Sequence, residues 1–254
     1  MDQIDLNCDM GESYGRYRIG HDAAIFPYIT SCNVACGFHG GDPLTIDQTI
    51  RGALTHGIQI GAHPSFPDLM GFGRQKMHIP GALLHAIVKY QVAAVKGMTE
   101  SLGGRLKYVK PHGALYNMAA DDADISATLL QAVRDIDPEL VLMGMAGSVT
   151  EQVAQQQSAR FIAEAFADRR YTDGGRLVPR SHEGAVISDP DEAAQQVVAI
   201  VTEGRVKGEH GQWVSLDAGT ICVHGDNPGV IAILEAIDVA LKEHHIHKKA
   251  FTVS

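Results

Sequence analysis

No run in this sequence stays apolar for the roughly 18 residues that a membrane-spanning helix needs. Purely aliphatic stretches such as Val197 to Val201 are far shorter. Basic charge is also lacking. Twenty-one Lys and Arg stand against 30 Asp and Glu, a net charge of −9, which argues against a nucleic-acid binder, since such a protein needs a basic face. Cysteine is sparse: Cys8, Cys32, Cys36 and Cys222 all sit in apolar, strand-like runs, where buried thiols are expected. Cys32 and Cys36 lack the two-residue gap of a zinc knuckle. The opening Met1-Asp2-Gln3-Ile4-Asp5 is acidic and has no apolar core segment, so no secretory leader is read there. A cytoplasmic protein bound to neither membrane nor nucleic acid is expected. Three motifs are missing as well: a phosphate loop, a strand-linked Gly-x-Gly-x-x-Gly and a Gly-x-Ser-x-Gly elbow. Their absence removes support from ordinary NTPase, dinucleotide and serine-hydrolase readings.

What is present is a regular alternation. Apolar runs at Ile4–Cys8, Ser31–Cys36, Gln59–Ala62, Tyr108–Lys110, Leu140–Met145, Phe161–Phe166 and Thr220–Val223 predict strands. Amphipathic stretches at Leu44–His56, Ala82–Leu102, Ile125–Asp135, Val149–Gln157, Asp191–Glu203 and Val230–His244 predict helices. Start signals precede three of them: Asp42-Pro43, Asp189-Pro190 and Asn227-Pro228. Repeated βα units imply a mostly parallel sheet. No linker divides the 254 residues, so a single β/α-barrel domain spanning 1–254 is expected, with a doubly wound open sheet as the structural rival. Two connections, Pro64–Pro80 and Asp168–Ser188, are long, glycine-bearing and arginine-bearing, as lids and anion clamps are.

The ends of the predicted strands carry the chemistry. They lead into Asn7-Cys8-Asp9-Met10-Gly11-Glu12, His39-Gly40-Gly41-Asp42, His63-Pro64, Lys110-Pro111-His112 and His224-Gly225-Asp226, while Glu164 and Asp168-Arg169 belong to the sixth. In a parallel barrel these ends share one mouth, where such barrels place catalysis. Any single His there can merely bond a loop carbonyl, but six titratable strand ends together point to a functional mouth. Asp9, Glu12, His39, His63 and His112 are the expected proton carriers. Lys110 is expected either to pair with an anion or, if it loses its proton, to act as a nucleophile; a buried Lys–carboxylate pair is the plainer alternative. Asp9, His39 and His63, from consecutive strands, form a possible metal set, although no helix-borne His-Glu-x-x-His supports it. Cys8 and Cys222 lie near carboxylates that raise a thiol's pKa, which disfavours a cysteine nucleophile. His244-His245-x-His247 reads as a solvated tail.

At these residues the chain resembles the LamB/YcsF family of prokaryotic 5-oxoprolinase A subunits. The resemblance rests on Asn7–Glu12, Asn33–His39, Gly61–Ser65, Gly71–Arg74, Val109–Asn117, Glu164–Arg169 and Ile221–Asp226, seven blocks in order along nearly the whole chain. It implies a seven-stranded, irregular TIM-like barrel of the glycoside hydrolase/deacetylase type. It also implies ATP-dependent opening of the 5-oxoproline lactam to glutamate, with ATP as co-substrate, Mg accompanying it, and subunits B and C as partners. Arg74, Arg169 and Lys110 would then stabilise charge on the transferred phosphoryl group. Asn7, Asp42, Glu164, Asp168, His224 and Asp226 would help bind substrate or phosphate. The other readings kept open are a metal-dependent amide hydrolase on the same barrel and a non-catalytic substrate-binding subunit. Two departures from the family pattern stand out: Gly40 replaces the usual Ala, which is expected only to loosen its loop, and Gln75 replaces a frequent second Arg.

Overall fold

Seven parallel strands close into a barrel in the computed structural model, which describes residues 3–253. In chain order the elements are β1 (Gln3–Met10), a short α1 (Asp22–Ile25), β2 (Ser31–Ala35), α2 (Pro43–Thr55), β3 (Gln59–His63) and α3 (Gly81–Ser101). There follow β4 (Leu106–Val109), α4 (Gly113–Ala119), α5 (Ala123–Ile136), β5 (Val141–Met145), α6 (Val149–Gln156) and β6 (Phe161–Phe166). The chain ends with α7 (Pro190–Glu203), β7 (Arg205–Lys207), β8 (Trp213–Ser215), β9 (Thr220–Val223), α8 (Val230–Glu243) and β10 (His247–Lys248). The barrel runs β1-β2-β3-β4-β5-β6-β9 and closes by parallel pairing of β9 with β1, Leu6 opposite Ile221 and Cys8 opposite Val223. Closure rules out the open-sheet rival.

All seven barrel strands match predicted ones. The sequence reading missed β10, the short helices α1 and α4, and an antiparallel hairpin formed by β7 and β8. These are short, and neither a 3.6-residue nor a two-residue period can declare itself over so few positions. Asp42 and Asp189 cap α2 and α7 as their Asp-Pro signals predict, Asp42 accepting from the N–H groups of Leu44 and Thr45 at 3.0 Å each. The third signal differs: Asn227 accepts from the Gly229 N–H in a turn, and α8 begins only at Val230. The apolar stripe of α3 is narrower than expected. Leu84, Val88, Val92 and Val95 are buried, whereas Leu83 faces solvent. Among the described residues no helix is long and apolar enough to cross a membrane.

β1 shows how the sequence builds two interiors. Ile4, Leu6, Cys8 and Met10 belong to the apolar layer between sheet and helices, whereas Asp5, Asn7 and Asp9 bond across the inside of the barrel. The lower interior is sealed by a separate apolar cluster of Tyr108, Val141 and Met143, against which Phe251 packs from the C-terminal segment, its ring 5.3 Å from that of Tyr108. Above this plug the barrel turns polar.

Candidate active site

The polar column starts at Asp5. Its carboxyl accepts hydrogen bonds from the hydroxyls of Thr30, Ser31 and Thr220. Burial pushes its pKa up, and those hydroxyls only partly offset the effect. One layer higher, Asn7 Nδ2 donates to Glu164 Oε1 (3.0 Å) and Thr220 Oγ1 (2.8 Å). Asn33 Nδ2 donates to Asn7 Oδ1 and Asp9 Oδ1, both at 2.7 Å, and Tyr108 Oη donates to Asn33 Oδ1. These bonds hold Asp9 and Glu164 at fixed positions on either side of Lys110.

The Lys110 ammonium lies 2.9 Å from Asp9 Oδ1 and 2.8 Å from Glu164 Oε1. Burial opposes its charge, yet Asp9 and Glu164 outweigh that and hold its pKa well above the ordinary value. Lys110 is therefore a fixed cation, and the option of a deprotonated nucleophile is withdrawn. Burial likewise disfavours an ionised Asp9, but the adjacent His63 imidazole and the charge of Lys110 keep its carboxyl well below the usual range. Burial raises the Cys8 and Cys222 thiols well above theirs, consistent with inert cysteines.

Three imidazoles crown the column. His63 Nδ1 is 2.7 Å from the Lys110 carbonyl, and His112 Nε2 is 2.9 Å from the Phe72 carbonyl. A carbonyl only accepts, so both nitrogens carry hydrogen. The free edges of these rings meet, His63 Nε2 to His112 Nδ1 at 2.9 Å, with the planes at 85°. Glu12 Oε1 lies 3.6 Å from His112 Nδ1 and 3.3 Å from His39 Nε2, and Asp9 Oδ2 lies 3.4 Å from His63 Nε2. Burial, with Asp9 close by, lifts the Glu12 pKa to about 8. Burial and neighbouring imidazoles push His39 and His112 well below theirs, so both are neutral at pH 7. His39 stacks flat on His112, centroids 3.8 Å apart and planes 5° apart.

The long 64–80 connection grips this cluster. The Asp68 carboxylate accepts from the N–H groups of Gly71 (2.8 Å) and Gln75 (3.1 Å), and its backbone carbonyl accepts from Gly73. This turn forces Phe72 into a left-handed conformation, φ 55°, which presents its carbonyl to His112. Gly73 follows because a Cβ there would lie 2.8 Å from His112 and 2.9 Å from His39. Gly40 has a similar role. A Cβ at that position would come within 2.5 Å of the Glu12 carbonyl oxygen. Contrary to the expectation of a looser loop, glycine here lets the His39 loop close on the chain at Glu12.

Above the cluster opens a cavity of about 570 Å³. Asp9, Glu12, His63, Lys110 and His112 line its floor, and Phe166 and His224 line its wall. Asp168 accepts from His224 Nδ1 at 2.8 Å and from its backbone N–H, so Asp168 orients that ring rather than facing the cavity. The rim is cationic. Arg74 and Arg180 both reach Asp226, at 2.5 and 3.5 Å, and Arg169 and Arg176 also line the cavity. Burial and the charge of Arg180 lower the pKa of Arg169 to about 10, and its guanidinium donates to the Val178 carbonyl.

Thus most of the residues expected at the mouth do gather there. Asn7 and Glu164 lie one layer below, as supports for Lys110. Asp42 does not join them: its carboxylate caps α2 and accepts from the Gly15 N–H. The proposed metal set changes in composition. The ligand atoms lying within 4.8 Å of one another belong to Glu12, His39, His63 and His112, while Asp9 groups with Cys222 and His224. Sequence reasoning passed over Asn33, Tyr108 and Tyr116. Tyr116 lines the cavity, and burial with Glu164 close by raises its hydroxyl well above the ordinary tyrosine pKa. The only signal for Asn33 was its place two residues along an apolar strand, where a polar side chain needs a buried partner.

Comparison with known proteins gives the chain's family. The LamB/YcsF family profile matches residues 4–254. The chain belongs to the LamB/YcsF family. A Bordetella parapertussis protein, named as the A subunit of 5-oxoprolinase, is 51% identical over 243 residues, 96% of each chain. One of the same name from Pyrococcus furiosus is 43% identical, again over 96% of each chain. The crystal structure of a lactam utilization protein from Thermus thermophilus superposes with a TM-score of 0.92 at 42% identity, covering 98% of this chain and all of that one. A family 4 carbohydrate esterase from Streptomyces lividans shares the barrel alone, with a TM-score of 0.53 and 11% identity.

Proposed function

We propose that this chain is the A subunit of an ATP-dependent 5-oxoprolinase and that its barrel mouth handles the lactam. The observation that carries the proposal is the pairing of a fixed acid–base cluster with a cationic rim around one cavity. The names of relatives with 43 to 51% identity over 96% of their length supply the substrate class.

The chemistry fits what these residues offer. A five-membered lactam resists water because its nitrogen lone pair is delocalised into the carbonyl. Transfer of the ATP γ-phosphoryl group to the lactam oxygen makes the ring carbon electrophilic. Water adds at that carbon, the C–N bond breaks as nitrogen takes a proton, and a second water releases phosphate from the acyl phosphate. The products are glutamate, ADP and phosphate. Charge on the phosphoryl group calls for cations, which Arg74, Arg169 and Arg180 supply at the rim. Attack by water calls for a base, for which the His63 and His112 rings face the cavity, while Glu12, protonated near neutral pH, is suited to give a proton to the leaving nitrogen. Lys110, locked between two carboxylates, contributes positive potential at the floor.

In this reading Mg accompanies ATP, and two further subunits, B and C, complete a cytoplasmic enzyme. The test is to mix the chain with those subunits and follow glutamate formation from 5-oxoproline with and without ATP. Glutamate that requires ATP and all three chains is expected. ATP-independent turnover, or full turnover after His63→Ala with the fold intact, sinks the proposal.

A further inference from the structure

The meeting of His63 and His112 raises a question of hydrogen atoms. Each ring spends its N–H on a backbone carbonyl, His63 on Lys110 and His112 on Phe72. Neutral rings so bonded point two lone pairs at each other across 2.9 Å. Glu12 Oε1 lies 3.6 Å from His112 Nδ1, and Asp9 Oδ2 lies 3.4 Å from His63 Nε2. The ligand atoms of His63, His112 and Glu12 lie within 4.8 Å of one another, Asp9 Oδ2 borders His63, and neither facing ring nitrogen has a hydrogen to give the other.

From this convergence we infer a binding site for one divalent transition-metal ion, held by His63 Nε2, His112 Nδ1 and Glu12 Oε1, with Asp9 Oδ2 within reach as a fourth ligand. The spacing suits it. Ligand atoms about 2.0–2.1 Å from a tetrahedral ion are roughly 3.4 Å apart, against the 2.9, 3.6 and 3.4 Å found between neighbours here. The ring planes suit it too, since an ion must lie in the plane of each imidazole that binds it. His63 and His112 cross at 85°, so one point can lie in both planes. His39 is excluded for the same reason: its ring is stacked parallel on His112, and no ion can lie in both of those planes. Its part is to pack behind His112 and hold Glu12. The carbonyl bonds to the far nitrogens are the outer-shell contacts that fix the tautomer and aim of ligating histidines. Two imidazoles with carboxylate oxygens and no thiolate favour zinc, cobalt, nickel or iron over magnesium or calcium. Three of the ligands and Asp9 line the cavity, so the ion's open side faces the space where a water and a substrate carbonyl can sit.

This site does not depend on the lactam reading, and its test is separate. Untagged full-length chain is stripped with a chelator, dialysed, and titrated with Zn²⁺ by calorimetry and with Co²⁺ by visible absorption. A double variant, His245→Ala with His247→Ala, removes background binding by the exposed tail. One equivalent is expected to bind in both the wild type and the tail variant, and Co²⁺ is expected to give the intense bands of a four- or five-coordinate ion. His112→Gln is expected to weaken binding by about a hundredfold or more and Glu12→Gln by about tenfold or more, beyond the usual range for outer-shell changes or at its edge. Far-UV circular dichroism checks folding, and if His112→Gln unfolds, the near-isosteric Glu12→Gln carries the test. The inference is overturned if folded wild type binds neither ion saturably. It is overturned equally if binding survives Glu12→Gln and His112→Gln but is lost with the tail. A strongly downfield imidazole proton that persists in the presence of Zn²⁺ and vanishes in His112→Gln overturns it as well, because a proton then bridges the two rings. Loss of metal binding with retained ATP-dependent lactam opening leaves the proposed function standing, and the reverse result leaves the site standing.

Discussion

Lys110 shows how much of the site is electrostatic scaffolding. Its charge is buried and shared between Asp9 and Glu164, so replacing it leaves two carboxylates facing each other away from water. Lys110→Met is expected to cost about 3–5 kcal/mol in urea unfolding, the range for breaking one side of a buried ion pair. Adding Glu164→Gln to it is expected to recover part of that loss. A full cost in both variants would show that the pairing is not what Lys110 supplies. Asp5 permits a test in pH. Its folded pKa is raised above 3.8 by burial, so over that window the folded chain keeps a proton that the unfolded chain has given up. The contribution of Asp5 to stability therefore falls as pH rises through the window and is constant above it. Asp5→Asn removes the titration, so its stability relative to wild type should climb between about pH 4 and the raised pKa, then level off. Parallel curves for the two proteins in urea melts would refute this. At this scale the sequence was informative where a polar residue ended a strand and mute where one sat within it. Asp9 and His63 were legible from position, but Asp5 and Asn33 lie inside runs whose apolar neighbours set the pattern.

Among the elements, the barrel strands and long helices were legible because burial imposes a period on them. The Asp42 expectation failed for an instructive reason: an Asp ahead of Pro near a strand exit reads equally as a ligand or a helix cap, and only the N–H groups of Leu44 and Thr45 decide it. The 64–80 connection was legible as long but not as a clamp, since the hold of Asp68 on Gly71 and Gln75 is specific to its folded turn. Asp68→Ala is expected to release Phe72 from φ 55° and with it the carbonyl that aims His112. Reconstituted turnover should drop at least about tenfold, as when an outer-shell partner is lost, while the melting temperature shifts little, because the turn lies outside the core. Unchanged turnover with a large thermal loss would make the turn structural only.

For the whole molecule, parallel topology accounts for what sequence order scatters. Asp9 and His224 are far apart along the chain yet share one cavity because β1 and β9 are neighbours. The lower plug was not legible, since Phe251 lies beyond the last predicted helix with no periodic company. Phe251→Ala is expected to cost about 3–5 kcal/mol, the usual range for emptying a buried aromatic position, and a change below about 1 kcal/mol would show the plug to be dispensable. The same segment bears on biosynthesis. β1 leaves the ribosome well before its partners β9 and β10 and before the phenyl ring that stoppers the cylinder beneath it. Until those later pieces dock, the nascent curl of sheet stays unsealed, with its charged lining open to water.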